Sequence, residues 1–109
     1  MSTLDAAFAA LADPTRRAII ARLAKGEATV GQLVQQFNLR QPTISSHLKV
    51  LEKAGFITRS KIAQTRPCRL SPEGLKAVAD WVGTYEQFWL ATIDRFVEVA
   101  NSAATKEDY

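Results

Sequence analysis

The stretch QPTISSHLKVLEKAG, residues 41–55, decides the fold. Pro42 suits the first turn of a helix, where its missing N–H costs nothing, and Gly55 suits the position just past the end. With residues about 100° apart around the axis, Ile44, Leu48 and Leu51 fall within about 60° of one another and form a stripe to be buried. Pro42, Ser46, Lys49 and Lys53 lie on the opposite side, with Thr43 and Ser45 on the flanks. The outward face is therefore small and polar at its start and cationic further along. His47, the chain's one histidine, lies about 60° from the centre of the stripe, at its border. That position predicts a ring packed on the edge of the core, with one nitrogen turned to backbone or phosphate. A zinc site would need several Cys, His or carboxylate ligands. A catalytic His47–Cys68 dyad would need an orienting third group that nothing in the sequence supplies.

Upstream the punctuation is regular. Leu4, Phe8 and Leu11 have helical spacing within a short Ala-rich segment from Leu4 to Ala12. Asp13-Pro14 reads as an N-cap followed by Pro at the first helical position, with Ala18, Ile19 and Leu23 as the apolar face and Gly26 as the C-cap. Thr29 and Gln32 make a capping box for a helix carrying Val30, Leu33, Val34 and Phe37 and stopping at Asn38. Two helices joined by a short turn, the second basic, form a helix-turn-helix.

Downstream of Gly55 the pattern shortens. Phe56 to Ile62 and Arg66 to Leu70, around Ala63-Gln64-Thr65, predict a small hairpin, with Pro67 confined to an edge or irregular position. Ser71-Pro72-Glu73 starts a final helix expected to run without a break to about Asn101, with Gly74 and Gly83 as tolerated costs. The predicted fold is mainly α with a small β-hairpin: a winged helix-turn-helix of five helices, the hairpin lying between the fourth and fifth.

At 109 residues the chain is expected to be one domain spanning 1–109. Its start lacks a basic, apolar leader, no window approaches a membrane span, and its one cysteine fits a reducing cytosol. A cytoplasmic protein is expected. The net charge of +3 is unevenly spread. Arg40, Lys49, Lys53, Arg59, Lys61, Arg66 and Arg69 against Glu52 give residues 40–69 a charge of +6, while residues 1–39 carry +1 and residues 70–109 carry −4. A basic middle third is the footprint of a polyanion-binding surface. Hydroxyls and the Gln41 amide can reach base edges, and lysines can reach phosphates.

Residues 11–60, LADPTRRAIIARLAKGEATVGQLVQQFNLRQPTISSHLKVLEKAGFITRS, with the RPCRL strand and the Trp-rich last helix, resemble the ArsR/SmtB family of bacterial transcriptional regulators. The resemblance covers about residues 4 to 100. It implies a homodimeric repressor that binds double-stranded DNA at an inverted repeat over its promoter, without catalysis. It implies that Gln41, Thr43, Ser45, Ser46 and Lys49 enter the major groove, and Arg40 beside them is a further expected DNA contact. Arg59, Lys61 and Arg66 on the wing would follow the backbone or an adjacent minor groove. Metal-sensing relatives carry cysteines before the recognition helix or a His-containing set on the last helix. Here EATVGQLV has no thiol, and the last helix offers Asp80, Glu86, Asp94 and Glu98 without His. Carboxylates alone make a poor transition-metal site, so no metal or other cofactor is expected. The sequence names no inducer.

Five of the nine aromatic residues lie between Pro72 and Ala100. Val78, Trp81, Val82, Tyr85, Phe88, Trp89, Ile93 and Phe96 read as one stripe, too many for a small core that already has its own apolar set. A second copy can bury them, so residues 1–12 and 72–100 are expected to form the dimerisation helices, through Leu4, Phe8, Leu11, Trp81, Tyr85, Phe88 and Trp89. Cys68, between Arg66 and Arg69, reads as a small buried strand residue; the alternative is an exposed thiolate favoured by guanidinium groups, which would make the wing a redox switch. A winged-helix protein-interaction module is a further alternative, one that would not require the basic middle segment.

Overall fold

The computed structural model describes residues 2–60 and 65–107. Six helices and a two-stranded antiparallel hairpin follow in the order α1 (Thr3–Leu11), α2 (Pro14–Leu23), α3 (Val30–Phe37), α4 (Gln41–Lys53), β1 (Ile57–Arg59), β2 (Cys68–Leu70), α5 (Pro72–Gly83) and α6 (Glu86–Glu107). Two compact units result, Met1–Val78 and Ala79–Tyr109.

The helix starts are set by side chains. Ser2 accepts from the Asp5 N–H at 3.1 Å, and the Asp13 carboxylate accepts from Thr15 and Arg16 N–H at 2.8 and 3.1 Å. Thr29 and Gln32 close a full capping box, at 3.2 and 2.9 Å. α3 stops where Asn38 turns left-handed (φ 53°), and α4 is followed by Gly55 at φ 81°. α2 ends earlier than its glycine suggested: Ala24 is the cap, and Gly26 follows two residues on.

In the first unit, Ile44, Leu48 and Leu51 of α4 are fully buried against Ile19, Leu23 and Leu33. Phe37 packs on this core from its edge. The sequence reading missed the small members, Ala7, Ala10, Ala28 and Ala54, as well as Phe56 and Ile57, while Cys68 is the buried strand residue its plainer reading expected. α1 turns its alanines inward, so Leu11 packs at the core edge and Phe8 remains 40% exposed.

The hairpin register pairs Ile57 with Leu70, Thr58 with Arg69 and Arg59 with Cys68. The strands are shorter than predicted: Phe56 precedes the ladder and Pro67 lies outside it. Ala28 adds a bridge on the other side of β2, through Cys68 N–H to Ala28 C=O at 2.7 Å and Ala28 N–H to Cys68 C=O at 3.1 Å. The start of α5 is tied to the exit of α4. Gly74 N–H donates to Gly55 C=O and Ser71 N–H to Phe56 C=O, both at 2.8 Å.

The largest departure from expectation is at the C-terminal end. The long last helix is two helices, α5 and α6, separated at Thr84-Tyr85. The Thr84 hydroxyl donates to the Asp80 carbonyl at 3.3 Å and to the Trp81 carbonyl. Such back-bonding competes with the helix ladder, and Gly83 beside it adds the lowest helix propensity short of proline. The break also disrupts the predicted single stripe. In α6, Trp89, Leu90, Ile93, Phe96 and Val97 share one face, and Phe88 falls about 100° from Trp89.

Two outcomes follow from this packing. A Cβ on Gly74 would stand 2.8 Å from the buried Phe56 ring. Gly74→Ala should therefore lower stability by roughly 1–2 kcal/mol despite the better helix former, read as a fall in Tm. The N–H bonds from Arg16 and Thr15, the former the stronger influence, hold the Asp13 carboxyl below its usual range, with burial opposing them and the His47 and Arg16 charges assisting. A lowered folded-state pKa contributes stability above the unfolded-state value that is lost as pH falls through the folded value. Asp13→Asn, an equally good cap that does not titrate, should flatten that acid-side loss in a thermal-melt pH series.

Candidate nucleic-acid interface

α4 presents its two faces as its periodicity requires. The stripe of Ile44, Leu48 and Leu51 is buried, and Gln41, Pro42, Thr43, Ser46, Lys49 and Lys53 are exposed. Ser45 and His47 are half-buried on opposite flanks of the outward face. Arg40, at the N-cap position, makes no side-chain capping bond and is exposed.

Beside the start of α4 lies an open cleft of about 630 Å³. Its walls include Gln41 and Ser45 from α4, Arg59 and Arg66 from the wing, and Thr29 and Gly31 from the start of α3. The structure thus brings together four of the nine residues named as DNA contacts. Thr43, Ser46 and Lys49 lie on the exposed face of α4, outside this cleft. Lys61 lies outside the described residues. Arg66 adopts left-handed backbone (φ 44°) just before Pro67.

Thr29 and Gly31 were not anticipated as neighbours of the wing. Their proximity depends on the Ala28–Cys68 bridge, which joins segments 40 residues apart; the capping box alone marks a helix start. Glu52 was also overlooked: it lines a smaller cleft with Arg59, Ser60 and Arg66. Arg69 turns elsewhere and pairs with Glu27 at 3.0 Å, both well exposed.

The Cys68 side chain is fully buried, and burial raises its pKa, only partly countered by Arg59. Arg66 and Arg69, the expected activators, are not among the groups that move it. This is the opposite of an exposed, activated thiolate. The thiol is a core residue of β2, and the redox-switch reading loses its physical basis. Among the described residues no cluster of three His, Cys, Asp or Glu side chains could hold a metal ion. Among the described residues no helix is long and apolar enough to cross a membrane.

A helix with a buried apolar stripe and an outward polar-to-cationic face, flanked by a basic hairpin, defines a winged-helix DNA-binding transcriptional regulator. The model of the arsR family of bacterial regulatory proteins matches residues 13–59. HTH-type transcriptional regulator Rv2034 of Mycobacterium tuberculosis is 36% identical over 98 residues, 90% of this chain and 89% of that protein. Transcriptional repressor SdpR of Bacillus subtilis is 35% identical over 75 residues, 69% of this chain and 83% of its own length. Among solved structures, an ArsR family transcriptional regulator has a TM-score of 0.72 at 38% identity, covering 80% of this chain and 90% of that one. HlyU from Vibrio cholerae has a TM-score of 0.63 at 30% identity, covering 73% and 87%. The chain belongs to the arsR family.

Burial of Cys68 predicts slow chemistry. Its reaction with a thiol reagent should be at least tenfold slower in the native protein than in denaturant, and peroxide should leave DNA affinity unchanged.

Proposed function

We propose that the chain is a cytoplasmic, homodimeric repressor without catalytic activity, binding an inverted-repeat operator through α4 and the wing. One observation carries this reading: the polar start of α4 faces outward beside a cleft that also holds Arg59 and Arg66. Gln41, Thr43, Ser45 and Ser46 would read base edges. Arg40, Lys49, Arg59, Lys61 and Arg66 would meet phosphates. SdpR, similar over most of its length, is named a repressor.

The dimer reading rests on apolar exposure. Trp81 is 44% exposed, Tyr85 52%, Phe88 76%, Ile93 48% and Phe96 73%. Trp89, Leu90, Ile93, Phe96 and Val97, which share one face of α6, are all exposed, and exposed apolar patches of this kind mark interaction surfaces. A second copy would cover this face, using α5, α6 and the Leu4, Phe8 and Leu11 region of α1 in an isologous contact. Two recognition helices about 34 Å apart would then read the two halves of a palindrome.

Gel shifts with the protein's own upstream region and a random duplex, over a salt series, test this. The upstream DNA should bind at least tenfold tighter, with Lys49→Ala weakening both duplexes and reducing the slope of log K against log salt by about one. Trp89→Ala should shift sedimentation from dimer towards monomer. Equal affinity for both duplexes would remove the sequence-specific reading.

A further inference from the structure

We propose that His47 is a phosphate ligand on the flank of α4 away from the wing, and that Arg16 fixes which ring nitrogen carries the donor. This rests on the DNA-binding reading above and adds a contact to it.

Arg16 is a hub. Its Nε donates to the Ala10 carbonyl at 2.7 Å and its Nη2 to the Ala9 carbonyl at 3.0 Å, closing the end of α1. Its Nη1 reaches His47 Nδ1 at 3.5 Å. A guanidinium has five N–H donors and no acceptor. In the neutral ring Nδ1 is then the acceptor and the proton sits on Nε2. Asp13, whose carboxylate holds the start of α2, also interacts with this ring through charge.

The donor so created is available. Among the described residues Nε2 has no hydrogen-bond partner, and no buried side-chain nitrogen or oxygen lacks one, so Nε2 reaches solvent. On the helix, His47 follows Thr43 by one turn, on the side away from Gln41 and Ser45, which share the cleft with Arg59 and Arg66. The wing and His47 therefore flank the reading face from opposite sides. A helix lying in a major groove has a phosphate backbone on each side, and such contacts fix register rather than sequence. The wing would hold one backbone and the Nε2–H of His47 the other.

The test compares His47→Asn, His47→Gln and His47→Leu with the wild type at mildly alkaline pH, on upstream and random duplexes, over a salt series. Asn keeps an acceptor near the Nδ1 position but no distal donor. Gln places an amide N–H near Nε2, and Leu keeps volume only. Asn and Leu should each weaken both duplexes together by about three- to tenfold, the worth of one neutral hydrogen bond. Gln should stay within about twofold of the wild type. The salt slope should not change, because a neutral donor displaces no counterion. Arg16→Gln should give the same loss without adding to that of His47→Asn. Since Arg16 also holds α1 and its loss lowers stability, the His47 series decides. Asn and Leu variants that bind like the wild type overturn the proposal, as does a Gln variant as weak as Leu or a loss confined to the upstream duplex. Wild-type protein with no preference for upstream DNA overturns the regulator reading instead, so the two failures are distinct.

Discussion

The burial of three side chains, Ile44, Leu48 and Leu51, organises this molecule. All three are fully buried. At roughly 1.5–3 kcal/mol each, their burial is comparable to the whole stability of a small domain. Rotating α4 by one residue would expose part of that stripe to water, so the helix has one allowed orientation. The polar face is then fixed as well, though it makes few contacts of its own. Placement of the outward polar face is a by-product of packing on its far side.

The second constraint is the exit from α4. Gly55 takes left-handed backbone, Phe56 drops into the core, and the start of α5 hydrogen-bonds back to both residues. Gly74 lies on the Phe56 ring with no room for a side chain. The chain therefore leaves α4 in one direction only, and that direction starts the wing. Charge follows the same economy of placement. The cationic middle of the sequence becomes a helix face and a hairpin, while Arg69 is partly neutralised by Glu27.

Local chemistry was legible in the sequence. The Asp13 and Thr29 caps, the Asn38 stop and the faces of α4 all depend on residues within one or two turns, and all appear as read. What could not be read was either small or distant. Ala7 and Ala10 carry too little apolar area to mark a core face, yet they let α1 approach closely. The Ala28–Cys68 bridge and the Arg16–His47 contact join segments 40 and 31 residues apart. The break after Gly83 falls at a glycine and a back-bonding threonine, neither of which marks a stop on its own: Thr92 makes the same bond to Phe88 within an unbroken α6. In the candidate interface, Gln41, Ser45, Arg59 and Arg66 were named in advance. The contribution of Thr29, Gly31 and Glu52 to its walls depends on tertiary neighbours alone.

β2 is gripped on both edges, by β1 and by Ala28, so the base of the wing is held independently of its tip. Doubling a loop's length costs only about 0.6 kcal/mol of closure entropy. Because Ala28 holds β2 from its other edge, the seat of α4 does not depend on how long the connection between β1 and β2 is.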